Sequence, residues 1–110
     1  MITYGILNYN PSGDHIATNC YIAAVDSLAT NCNKDIKSEV YLIDQGSQPE
    51  LTELLARQHG FQAITLRKNI GISRGINLLA NVARGNFISL VTSDVLFTPG
   101  LDTHCLDVLE

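Results

Sequence analysis

Phe87-Ile-Ser-Leu-Val-Thr-Ser-Asp94-Val-Leu-Phe-Thr-Pro-Gly100 reads as a buried strand that runs straight into a carboxylate and then into a Pro-Gly turn. An acid at the carboxyl end of a strand stands where open α/β sheets place ligands and metals. The same design occurs earlier, where Asp44 closes the apolar run Val40-Tyr-Leu-Ile-Asp44-Gln-Gly-Ser47. Two strand-end acids, together with an asparagine-rich end to the first strand, point to a site for a nucleoside diphosphate.

Outward from this stretch, the chain alternates between two periods. Ile2 to Asn8 is a short apolar strand bounded by Asn8-Tyr-Asn-Pro-Ser-Gly-Asp14. Ala17, Tyr21, Ala24, Val25, Leu28 and Cys32 recur at three and four, which predicts a helix from Ala17 to about Thr30. A polar loop leads to a second strand over Glu39 to Asp44. Ser47-Gln-Pro-Glu50 reads as a capping box opening a second helix, with Leu51, Leu54 and Leu55 inward and Gly60 as its stop. Gln62 to Leu66 gives a third strand. Ile72, Ile76, Leu79 and Ala83 give a third helix that ends at Arg84-Gly85, Phe87 to Thr92 the fourth strand, and Leu101 to Leu109 a final short helix. Alternation of this kind predicts a three-layer α/β/α domain spanning 1–110, with a mostly parallel, Rossmann-like sheet covered on both faces and right-handed crossovers.

Composition narrows the function classes. At 110 residues and 45% hydrophobic content the chain has the makings of one compact domain. A net charge of −4, few aromatics and no Trp argue against nucleic-acid binding and against an anionic-membrane binder. No apolar run approaches the roughly 18 residues that a membrane span needs. Cys20, Cys32 and Cys105 form no CxxC, and the expectation is reduced thiols in a cytoplasmic protein without a signal peptide. His15, His59 and His104 lack metal-ligand spacing, and there is no P-loop, no GxGxxG after the first strand and no GxSxG elbow. Charge is distributed unevenly. From Leu54 to Ser93 there is no acid, while Arg57, Arg67, Lys68, Arg74 and Arg84 fall in that span. Arg67, Lys68 and Arg74 flank the loop into the third helix, whose N-terminus favours anions.

Four patterns stand in fixed order: Ile6-Leu-Asn-Tyr-Asn10; Leu42-Ile-Asp44-Gln-Gly-Ser47; Arg67-Lys-Asn69-Ile-Gly71-Ile-Ser-Arg-Gly-Ile-Asn77; and Ile88-Ser-Leu-Val-Thr92-Ser-Asp94-Val95. Their order and spacing resemble the amino-terminal, nucleotide-sugar-binding half of family 2 glycosyltransferases, which have the GT-A fold. Leu7 stands where the family's first pattern has Pro, and Tyr9 and Asn10 match it. Asp44, Gly46 and Ser47 match the family's D-x-G-S-x-D, with Pro49 in place of the last Asp. Asn69, Gly71 and Asn77 match its N-x-G-like positions. Thr92 occupies the first position of the family's D-x-D, and Asp94 the last.

The resemblance implies a donor site for a UDP- or GDP-linked sugar built from Tyr9, Asn10, Asp44, Ser47, Asn69, Gly71, Arg74, Asn77, Thr92 and Ser93. Asp44 would meet the nucleobase, and Asp94 would hold Mg²⁺ or Mn²⁺ against the leaving diphosphate. No residue matches the family's general base, so the catalytic residue stays unassigned. Plainer readings stand beside these: Asp44 as a turn and helix cap, Asp94 as a turn acid, Asn69 and Gly71 as turn chemistry, and Tyr9 as core packing. At the level of function the alternative is a non-catalytic nucleotide-sugar-binding or assembly module. An unrelated response-regulator-like domain ranks last, because no Lys follows the fourth strand. The sheet is expected to leave a strand edge uncovered, which implies a homo-oligomer or pairing with a second half.

Overall fold

The computed structural model describes residues 1–109. Four strands, β1 (Ile2–Asn8), β2 (Ser38–Gln45), β3 (Gln62–Leu66) and β4 (Phe87–Thr92), alternate with four helices. These are α1 (His15–Asn31), α2 (Pro49–His59), α3 (Gly71–Val82) and α4 (Leu101–Leu109). The sheet order is β3-β2-β1-β4 and all three pairings are parallel. The expected α/β/α architecture with a parallel sheet is therefore present. In register, Asn8 lies opposite Asp44, and Leu7 lies between Ile43 and Thr92. The strand ends that carry the polar motifs thus finish at one edge of the sheet.

Strand alternation splits the core in two. Ile2, Tyr4 and Ile6 of β1, with Val40 and Leu42 of β2, face α1, α2 and α4 through Tyr21, Val25, Leu28, Leu55 and Leu106. The opposite face, Leu7, Tyr41, Ile43 and Leu90, packs on α3 through Leu78, Leu79 and Val82. α3 approaches closely where β1 has no side chain: a Cβ on Gly5 would lie 2.7 Å from Leu79 and from Leu90. A buried hydroxyl pair, Tyr21 to Thr52 at 2.8 Å, joins α1 to α2, and burial pushes the Tyr21 phenol well above its ordinary range.

Three expectations about side chains are corrected. Ser47 does not open a capping box. The N-cap of α2 is Gln48, Pro49 follows it, and no side chain of the cap residue bonds the helix. The Ser47 hydroxyl instead donates to Asp44 and accepts from the Asn10 N–H. Leu54 is 45% exposed, and the inward positions of α2 are Thr52, Leu55 and Ala56. Ile72 and Ile76 are also exposed, because α3 turns Gly75 and Leu79 to the sheet. A Cβ on Gly75 would stand 2.9 Å from Leu7, so the helix sits almost on the strand there.

Glu39 closes the far end of the sheet. Its carboxylate accepts from the Arg84 backbone N–H at 2.7 Å, from the Thr3 hydroxyl at 2.7 Å and from Arg84 Nε at 3.1 Å. One side chain of β2 thereby fixes β1 and the turn between α3 and β4. The Arg84 N–H, followed by Thr3 and the guanidinium, holds the Glu39 carboxyl below its usual range against an opposing effect of burial. A depressed carboxylate stabilises the fold above its unfolded pKa of about 4.3, and that contribution disappears as pH falls through the folded value. Unfolding titrations of wild type and Glu39→Gln should therefore differ by a constant amount above about pH 5.5 and converge in acid below about pH 4. A gap that persists unchanged in acid would show that the carboxylate charge is not what stabilises this joint.

Candidate donor site at the carboxyl ends of the strands

Asp44, the penultimate residue of β2, has no exposed surface and no cation beside it in an ion pair among the described residues. Hydrogen bonds compensate its charge. Oδ1 accepts from Asn8 Nδ2 (3.0 Å), Ser47 Oγ (2.9 Å) and the Gln48 N–H (3.0 Å). Oδ2 accepts from the N–H groups of Ser47 (2.8 Å) and Gln48 (3.0 Å). Backbone N–H groups at the start of a helix suit a buried anion, and a carboxylate accepting several of them needs no counter-ion. Of the plain reading of Asp44, the turn-and-cap chemistry is thus present.

The β1–α1 loop is organised by Asn10, which is buried. Its amide oxygen accepts from the Asp14 N–H, and its amide nitrogen donates to the Asp14 carbonyl and the Thr18 hydroxyl. Asp14 in turn caps α1 by accepting from the Ala17 N–H at 2.9 Å. Tyr9, between the buried Asn8 and Asn10, points outward at 48% exposure, so it is a surface ring and not core packing.

Three amides outside the predicted set connect these loops. Asn8 Nδ2 reaches both Asp44 and Gln48 Oε1 (3.1 Å), and Gln48 Nε2 donates to Thr18 at 3.0 Å. Gln45 Oε1 accepts from the N–H groups of Ile70 (3.1 Å) and Gly71 (3.2 Å), which caps α3 from the neighbouring strand. Asn69 Oδ1 also accepts from Gly71, at 2.8 Å. The signal for Gln45 was its position: a residue directly after a strand-end acid sits beside the next loop. The Asn8 amide oxygen is buried without a hydrogen-bond partner among the described residues.

The structure therefore unites Asn10, Asp44 and Ser47 in one network, and joins Asn69 and Gly71 to β2 through Gln45. Arg74 and Asn77 are exposed along α3. Thr92 and Asp94 form a separate pair in which the Thr92 hydroxyl donates to the exposed Asp94 carboxylate at 2.5 Å. Ser93, between them, is half-buried. Asp94 borders an open groove of about 350 Å³ with Ile16, Asn19, Cys20, Ala23 and Leu96. Among the described residues no group of three or more His, Cys, Asp or Glu side chains gathers to hold a metal. Asp94 is then one carboxylate, which suits an ion that takes its remaining ligands from phosphates and water, as Mg²⁺ does.

Comparison with known proteins adds the following. A family model described as "Glycosyl transferase family 2" matches residues 20–110. No curated protein matches the chain. Among solved structures, S. aureus TarS 1-349 superposes with a TM-score of 0.75 at 19% identity, over 98% of this chain and 32% of that one. The same TarS 1-349 in complex with UDP gives a TM-score of 0.74 at 20% identity, over 97% of this chain and 31% of that one. This chain spans about a third of the length of those structures, and at such identity the likeness establishes the fold.

Gly46 offers a direct test of the site's frame. Its φ is +76°, and a Cβ there would lie 2.6 Å from the Arg67 carbonyl oxygen and 2.9 Å from the Lys68 nitrogen. Gly46→Ala combines left-handed backbone strain with a backbone clash and should destabilise the chain by about 2 kcal/mol or more in urea unfolding. An alanine variant as stable as wild type would mean that the 67–68 loop is free to move off the β2–α2 turn.

Proposed function

The chain belongs to glycosyl transferase family 2, and on that premise we propose that it binds a nucleotide-diphosphate sugar at the carboxyl ends of β1, β2 and β4 for transfer to an acceptor hydroxyl. The observation that carries this reading is the division of labour between two strand-end acids. Asp44 is buried and taken up by protein donors, whereas Asp94 is exposed and, among the described residues, bonded only by the Thr92 hydroxyl. The buried acid shapes the walls; the exposed one is available to a ligand.

Within this reading Asp44 holds the β1 and β2 loops as the floor of the nucleotide pocket, rather than meeting the base itself. Tyr9 offers an exposed ring beside that floor, and Arg67, Lys68 and Arg74 supply positive charge at the start of α3, where helix N–H groups also favour phosphate. Ser47, Asn69, Gly71, Asn77 and Ser93 complete the polar rim. Asp94 would hold a divalent cation with Thr92 orienting its carboxylate, and such a cation supplies charge neutralisation of the leaving diphosphate. The residues fit Mg²⁺ or Mn²⁺ in the limited sense of one carboxylate ligand. The lone carboxylate also favours a second reading, a nucleotide-sugar-binding module without transfer, since no residue is placed as a general base.

Calorimetric titration of UDP and GDP, with and without Mn²⁺, tests the site. The expected outcome is metal-dependent binding of UDP that Asp94→Ala weakens tenfold or more, about 1.4 kcal/mol. Binding of neither nucleotide would sink the donor-site reading. Binding that ignores both Mn²⁺ and Asp94→Ala would leave a nucleotide site and remove the metal.

Association through the open side of β4 belongs to the same proposal. β4 pairs only with β1 among the described strands, and exposed Ile72, Ile76, Ile88 and Val95 lie on or beside it. An unpaired edge of this kind is a template for pairing. Light scattering at rising concentration should return a dimer or larger, and a monomer throughout would refute association by this chain alone.

A further inference from the structure

A cavity of about 70 Å³ lies beneath α4, toward the amino ends of β1 and β4 and away from the donor site. Two of the three thiols, Cys32 and Cys105, line it together with Tyr4 and Asp102. Cys32 is the C-cap of α1. The next residue, Asn33, donates its N–H to Asp102 Oδ2 at 2.6 Å and its side-chain amide to Thr103 at 3.2 Å, which pins the first turn of α4 to the end of α1. Cys105 stands three residues beyond Asp102, on the same face of α4, and like Cys32 it lines this one cavity beside Tyr4. The Tyr4 phenol registers the cluster: burial, then Asp102, Cys32 and Cys105, push it up to about 12.

We propose that Cys32 and Cys105 are a redox-active thiol pair, oxidised by a hydroperoxide to an intramolecular disulfide that staples α4 to the end of α1. Cys105 is exposed and meets the oxidant first. Its sulfur attacks one peroxide oxygen, the O–O bond breaks, a sulfenic acid forms and water leaves. The Cys32 sulfur then attacks the Cys105 sulfur. The S–S bond forms, the S–O bond breaks, and the departing hydroxide takes the Cys32 proton as a second water. Two thiols lose two electrons and hydrogen peroxide becomes two waters. Lys34 Nζ, 3.7 Å from the Cys32 sulfur, is placed to steady the negative charge that gathers there during the attack.

The staple would act on a segment next to the exposed acid of β4. Asn31 donates to the Phe97 carbonyl at 2.8 Å and Ser27 accepts from the Phe97 N–H at 2.9 Å, while the Phe97 ring packs edge-on against Tyr4. Residues 93–96 run between β4 and this anchor. Locking α4 onto α1 fixes the anchor.

The test treats the whole chain with hydrogen peroxide, alkylates the remaining thiols and maps the peptides by mass spectrometry without reduction. The expected result is a loss of two hydrogens, one alkylated cysteine where the reduced protein gives three, a Cys32–Cys105 linked peptide, and a higher melting temperature that dithiothreitol reverses. Cys20→Ser should leave the link intact, whereas Cys32→Ser and Cys105→Ser should each remove it. A link through Cys20, disulfide-joined dimers through Cys105, or Cys105 advancing to sulfinic acid while Cys32 stays alkylatable would each overturn the proposal.

Discussion

The structure depends on how a carboxylate with no exposed surface is stabilised at the end of β2. Desolvating an ionised carboxyl costs several kcal/mol, and that cost is tolerated only where hydrogen bonds replace water around both oxygens. Asp44 achieves this with two backbone N–H groups, one hydroxyl and the Asn8 amide. The donors come from β1 and from the turn into α2, so satisfying the charge also fixes the distance between two strand ends and the entry angle of a helix. Ser47 carries the same constraint to the β1–α1 loop through the Asn10 N–H. Much of the polar rim inherits its geometry from this one buried group.

The elements themselves were legible because each is short, strongly periodic and bounded by turn residues. β1, β3, β4 and α4 fall on the residues that alternation and apolar runs indicate, since Asn8, Gly60, Gly85 and Pro99-Gly100 punctuate them. Side-chain roles were less legible. Ser47-Gln-Pro-Glu50 has the letters of a capping box, but an acid three residues earlier competes for the same hydroxyl and backbone N–H groups, and it is the better acceptor. Leu54, Ile72 and Ile76 fit helical spacing yet lie outside the core, because spacing names a face and only packing says how wide a strip of that face is covered.

The site divides in the same way. Asp44, Ser47, Asn10 and Asp94 were visible as polar residues at strand ends, where a sheet of this class gathers them. Gln45 and Gln48 were not, and Asn8 showed only as part of an asparagine-rich strand end, because the roles of these amides are set by what they bridge. Their roles come from bridging segments distant in sequence, as when Gln45 caps α3 across 25 residues. Such couplings are created by the register Asn8 opposite Asp44, and they become readable only with the sheet assembled.

The strand order β3-β2-β1-β4 also sets a direction of growth. The central strand is the first in the chain, and β2 and then β3 add to one side of it in sequence order. Only afterwards does the backbone return to place β4 on the other side, where Met1 accepts the N–H of Asn86 at 2.9 Å. No strand has to be inserted between two already paired, so a chain emerging from its amino end can consolidate each layer before the next arrives. Every donor to the buried acid, from Asn8, Ser47 and Gln48, precedes β4 in the sequence, so the segment that carries Asp94 contributes nothing to satisfying it.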